Sequence, residues 1–140
     1  VCIVRKELKM EMINGTTIDK LPLCGVTAVA NCAGVAIQDA FETFKAKCKK
    51  SSSWKGATRS SERNKMLKHY KVKFTEAKVG KCSLAKFIDW NTAKNKKYIV
   101  RTGGHVQVVE NGLVTDQRGT FPINEFWGKR KIVTHVLVIK

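Results

Sequence analysis

Residues 98–116 read Tyr98-Ile99-Val100-Arg101-Thr102-Gly103-Gly104-His105-Val106-Gln107-Val108-Val109-Glu110-Asn111-Gly112-Leu113-Val114-Thr115-Asp116. Two β-rich runs flank Asn111-Gly112, the dipeptide that best suits a two-residue hairpin turn. If Glu110 pairs with Leu113, paired residue numbers sum to 223. Asp116 then lies opposite Gln107, and His105 opposite Arg118. Strand side chains alternate, so His105, Gln107, Asp116 and Arg118 share one face. His105 and Asp116 become diagonal neighbours, about 7–8 Å apart along the backbone and within reach of an imidazole and a carboxylate. A carboxylate so placed would fix the histidine tautomer and stabilise its cation.

Working outward, Ile132 to Ile139 gives a further strand and Val72 with Phe74 a short one. Ser83 is placed to cap a short helix carrying Leu84, Phe87, Ile88 and Trp90. Upstream the periodicity is helical. Cys24 to Ala33 has small apolar residues on nearly every face and suits a buried helix, with Gly34 as its stop. A second helix runs from about Ile37 to Lys49, with acids early and lysines late, as the helix dipole favours. A third spans Ser60 to Tyr70, opened by Ser60 or Ser61. Between them, residues 49–59 form a polar basic loop. Thr16 to Leu23 reads as loop, Asn14-Gly15 as a turn, and residues 1–13 as a loose strand followed by an irregular stretch. The expected fold class is α+β: N-terminal helices packed on a C-terminal antiparallel sheet, as one domain over residues 1–140.

Cys24 opens its helix. A thiol there feels the positive end of the dipole and the unbonded N–H groups of the first turn. With an imidazolium nearby, its pKa falls and a thiolate nucleophile becomes available. Each residue also has a plainer reading: Cys24 as a core residue, His105 as a turn residue, Asp116 as a strand end. Their order, the helix start and the shared hairpin face together favour a Cys24, His105 and Asp116 triad.

The stretch Leu23-Cys24-Gly25-Val26-Thr27-Ala28-Val29-Ala30 resembles the nucleophile region of papain-like cysteine peptidases. Residues 97–116 are similar to the strand, histidine, strand, Asn-Gly, strand, aspartate unit of small papain-like proteins of tailed phages. Lys81-Cys82-Ser83-Leu84-Ala85-Lys86-Phe87 resembles the short helix that precedes that unit. The likeness covers roughly residues 20–120. It implies a papain-like fold with Cys24 as nucleophile, His105 as general base and acid, and Asp116 as the orienting residue. It implies a cysteine hydrolase acting on an amide or thioester, hence a peptide or protein substrate, of phage origin, in the host cytoplasm or the virion. One departure stands out. The family places a Gln several residues before the nucleophile to complete the oxyanion hole. Residues 16–23 hold no Gln or Asn, and Asn14 is the nearest amide. Thr17 or Asp19 would occupy that space, and a carboxylate there would repel an oxyanion. A non-enzymatic structural or assembly protein of a larger viral particle is therefore the alternative on the same fold.

Charge adds a third possibility. Lys+Arg number 27 against 11 Asp+Glu, a net charge of +16. That implies attraction to a polyanion, such as nucleic acid or an acidic partner. No apolar run approaches the ~20 residues of a transmembrane helix. Val1-Cys2-Ile3-Val4-Arg5-Lys6 has no apolar core or small-residue cleavage site, so a secretory signal is not expected. Cys2, Cys24, Cys32, Cys48 and Cys82 lack CxxC spacing, so neither a zinc site nor any other cofactor is expected. Cys24 and Cys32 lie about 12 Å apart on one helix, too far to bridge. His69 and His135 read as structural. Trp54 reads as a core anchor, with base stacking as its alternative; Trp90 and Trp127 are scattered.

Overall fold

The computed structural model describes residues 21–140, together with the backbone of two short strands, β1 (Met12–Ile13) and β2 (Thr16–Thr17). These two pair antiparallel, with Ile13 opposite Thr16. β2 corrects the expectation that Thr16 onward is all loop. The expectations for residues 1–11, and for the side chains of Asn14, Thr17 and Asp19, fall outside the described residues.

Helix α1 runs Cys24–Ala33 and is buried along Gly25 to Ala30. Its small side chains let it sit close against its neighbours, and Gly34, at φ 71°, ends it. Helix α2 is Ile37–Lys47, with Asp39 in the first turn and Lys45 and Lys47 in the last. Helix α3 is Ser60–His69. Neither serine caps it. Instead the Arg59 N–H donates to Glu62 Oε1 at 2.9 Å, since a carboxylate three residues in can reach back to the flanking donor. In the intervening loop, Trp54 stacks on Phe41 with centroids 5.0 Å apart and donates its Nε1 to the Ala57 carbonyl at 2.8 Å. It is a core anchor.

The remaining elements are β3 (Phe74–Ala77), α4 (Leu84–Asn91), β4 (Lys97–Thr102), β5 (His105–Glu110), β6 (Leu113–Asp116), β7 (Gly119–Pro122), a 3₁₀ turn (Ile123–Glu125) and β8 (Val133–Ile139). Ser83 caps α4 through Oγ, which accepts from Lys86 N at 3.2 Å. Six of these strands form one sheet in the order β3-β8-β4-β5-β6-β7, and every pairing in it is antiparallel. The architecture is α+β, with the helices mostly leading and the sheet following. Strand β7 lacked a sequence signal because it contains Gly119 and Pro122. An edge position tolerates both, and β7 is one of the two edge strands of this sheet.

The β5–β6 hairpin has the expected register: Glu110–Leu113, Val109–Val114 and Val108–Thr115. Asn111 (φ 52°) and Gly112 (φ 77°) both take the left-handed conformation that a type I′ turn requires. The recorded ladder stops at Val108–Thr115, and Asp116 pairs instead with Gly119 of β7.

Two apolar clusters cover the sheet. One joins α1, α2 and α3 to Ile99, Val106 and Val108. The other joins α4 and Phe126 to Tyr98, Val100, Val109 and Val114. The even–odd split within β4 and β5 is the alternation of a two-sided sheet. Trp90, carried on α4, is 69% exposed, as its helix turns that face to water. Among the described residues, no single helix is long and apolar enough to cross a membrane.

Candidate active site

Three pieces of backbone converge on one place. Residue Cys24 is the first of α1, His105 the first of β5, and Asp116 the last of β6. Gly103-Gly104 makes the tight link from β4 that puts His105 at the strand start, where Thr102 pairs with it.

His105 Nε2 lies 3.0 Å from Asp116 Oδ2. The Cys24 thiol stands close enough to the His105 ring for each to shift the other's pKa. With Nε2 engaged by the carboxylate, Nδ1 is the ring nitrogen left for sulfur. The structure brings the three residues singled out from the sequence to one place, with His105 between Cys24 and Asp116.

Burial sets the electrostatics. Burial alone would push the Cys24 thiol up. The hydrogen bond to His105, those from the backbone N–H groups of Val106 and Gly25, and the charge of His105 outweigh it, so the pKa is lowered. Burial would likewise push His105 down. Its hydrogen bonds to Asp116 and Cys24, and their charges, raise it to about 9. Between the lowered thiol pKa and about pH 9, the resting pair is thiolate and imidazolium. Cys32, about two turns further along α1, shows the contrast: burial pushes it up to about 12. Cys24, Cys32, Cys48 and Cys82 are all free thiols.

Asp116 is 1% exposed and accepts three hydrogen bonds. Besides His105, Arg118 N donates to Oδ1 at 2.8 Å and Trp127 Nε1 donates to Oδ2 at 3.2 Å. Such a carboxylate is held in one orientation. Trp127 also meets the His105 ring edge-on at 4.9 Å and lies under Arg118 at 5.0 Å. It covers the His105–Asp116 bond from solvent. Sequence reading missed Trp127 because it lies in a turn region 11 residues beyond Asp116, with no periodic pattern around it.

Leu23 gives α1 no side-chain cap, so the first-turn N–H groups beside Cys24 are not consumed by one. Gly25 N–H faces the thiol. These donors could receive an oxyanion formed at Cys24.

A cavity of about 370 Å³ opens at Cys24, between the start of α3 and the ends of β4 and β5. Arg59, Arg63 and Arg101 line it. Arg63 is 8% exposed and donates Nη1 to the carbonyl (3.1 Å) and hydroxyl (3.0 Å) of Thr58. A Cβ on Gly25 would meet Thr58 Oγ1 at 2.0 Å and Arg63 Cδ at 3.1 Å. Glycine after the cysteine is therefore what lets this arginine sit beside the thiol. No local pattern marks it, because Arg63 is one of several basic residues on α3. The other two histidines stay away from the triad: His69 ends α3 against Tyr70, and His135 lies on β8 opposite Arg101. The chain matches no family model, no curated protein and no solved structure.

Proposed function

We propose that the protein is a papain-like cysteine hydrolase, of phage origin by its sequence resemblance, that transfers acyl groups from amides or thioesters through Cys24. The thiol–imidazole–carboxylate chain of Cys24, His105 and Asp116 carries this reading.

The chemistry runs in two halves. The Cys24 thiolate attacks the substrate carbonyl carbon, and the charge moves to oxygen, facing the first-turn N–H groups of α1. As the tetrahedral centre collapses, the bond to the leaving amine or thiol breaks and His105 gives that group its proton. A thioester to Cys24 remains. Neutral His105 then takes a proton from water, and the resulting hydroxide attacks the thioester. Collapse releases the acid and restores thiolate and imidazolium. Asp116 keeps Nδ1 turned to sulfur throughout and balances the cation.

Competitive alkylation tests the nucleophile. An ordinary thiol is only a few per cent thiolate at pH 7, so Cys24 should react with iodoacetamide about tenfold faster than Cys82 or more. Cys32, pushed up by burial, should react last. Peptide mapping gives the order, and Cys24 reacting no faster than Cys82 would sink the hydrolase reading.

The net charge of +16 favours a second, compatible reading, in which the protein works against nucleic acid or an acidic partner within a viral assembly. Its binding to duplex and single-stranded DNA should weaken steeply between 50 and 200 mM salt, by about 10³-fold or more if some six phosphates are contacted. Filter binding at the two salt concentrations measures it. Absence of binding at the lower one excludes this reading.

A further inference from the structure

We propose that the arginine-lined cavity beside Cys24 selects substrates bearing a carboxylate close to the bond that is cleaved. This deepens the hydrolase reading and rests on it for the place of the scissile bond.

Among the described residues, no Asp or Glu lines the cavity. Three guanidiniums converge on it, and like charges within a small volume repel. Arg101 does press on Arg63 in this way: burial and then that neighbouring charge hold the Arg63 pKa below its usual value, against support from Cys24 and Glu62. Among the described residues no carboxylate is paired with Arg63. Glu62, its sequence neighbour, is held by Lys50 and by the Arg59 N–H. Thr58 engages Nη1 alone, through two uncharged oxygens.

A guanidinium buried to this degree without a counter-ion is costly. The anion that supports it most is the Cys24 thiolate, and that charge disappears once sulfur is acylated. A substrate carboxylate in the cavity would compensate Arg63 through the whole cycle. Guanidinium geometry suits bidentate carboxylate binding, and Arg101 reaches the cavity from β4 to act as a second arm. Beyond the cavity the groove continues between α3 and the sheet, where Glu76 and His135 join Arg63 and Arg101. Among the described residues, the purely cationic part is the part at Cys24.

Two small electrophiles read this directly. Iodoacetate is an anion, and iodoacetamide is its neutral isostere. The ratio of their rates at Cys24, divided by the same ratio at Cys82, should exceed tenfold at low ionic strength and shrink as salt rises. Imidazolium contributes to that ratio, so the decisive comparison is between variants. Arg63→Gln should lower the ratio several-fold, and Arg101→Gln, which leaves the Arg63–Thr58 bonds in place, should lower it in the same direction. A purely structural or oxyanion-binding Arg63 would change both rates together and leave the ratio unmoved in both variants, which would overturn the proposal. Failure of the hydrolase reading looks different: Cys24 would then react with neutral iodoacetamide no faster than Cys82.

The source of the carboxylate is separated by protection. N-acetylglutamate amide carries it on a side chain, and N-acetylglycylglycine carries it at a free C-terminus. Whichever slows iodoacetamide at Cys24 more than N-acetylglutamine amide does identifies the source. If neither acid protects at millimolar concentration, the proposal is refused.

Discussion

Cys24→Ala is expected to lower turnover of p-nitrophenyl acetate and of a simple thioester by at least about 10³-fold, while the fold stays intact. The chemistry has no substitute nucleophile at that point. His105 and Asp116 can polarise a water, and the α1 donors can receive an oxyanion, but no covalent intermediate forms. Wild-type protein should therefore show a burst of one nitrophenolate per chain, and the variant none. The structural side is equally specific. Cys24 is only partly buried, and alanine is a better helix former than cysteine at the head of α1. Stability should change by about 1 kcal/mol or less. The variant also loses the thiol's contribution to His105, whose pKa should fall from about 9 while remaining supported by Asp116. A histidine titration followed by NMR reads that shift. Retained turnover in Cys24→Ala would remove this residue from the mechanism outright.

How much of this could be read from the chain is instructive in its unevenness. The hairpin was legible because Asn111-Gly112 dictates both a turn type and a register, and period-two alternation then decides which side chains share a face. That is why His105 and Asp116 could be brought together from sequence, and why their 3.0 Å contact follows. Helix α1 was legible because a run of small apolar residues between Leu23 and Gly34 has one use, a buried helix. Strand β7 was not, since its place at an edge relaxes the very rules that mark strands. Nor were Trp127 and Arg63. Both reach the site through loops and long side chains, and neither burial nor direction is encoded by local spacing. The oxyanion question illustrates the same boundary. Sequence comparison with the papain-like pattern looks for an amide before Cys24, whereas the structure also shows uncapped N–H groups at α1 itself.

Asp116→Asn is expected to reduce turnover by about 10²–10⁴-fold and to move the alkaline limb of its pH profile to lower pH. The carboxylate accepts at both oxygens, from His105 and Trp127 on Oδ2 and from the Arg118 N–H on Oδ1. Trp127 Nε1 and a backbone N–H can only donate. An asparagine offers one acceptor oxygen and one NH₂. If its oxygen faces His105 and Trp127, the NH₂ confronts the Arg118 N–H. If it is flipped, the NH₂ confronts Trp127, and His105 must present an unprotonated Nε2, which moves its proton to the nitrogen facing sulfur. Either arrangement leaves a part-buried donor without its partner, at about 1 kcal/mol of stability. Both remove the negative charge that helps raise His105. The sign of the pH effect follows. In the wild type, activity rises as Cys24 ionises at its lowered pKa and falls as His105 loses its proton near pH 9. Without Asp116 the histidine deprotonates earlier, so the window in which thiolate and imidazolium coexist narrows from its alkaline side. Turnover of the thioester and the iodoacetamide rate at Cys24, each measured from pH 4 to 10, give both limbs. A variant that loses turnover with its alkaline limb still near pH 9 would show that Asp116 supports the hairpin but does not hold the imidazolium.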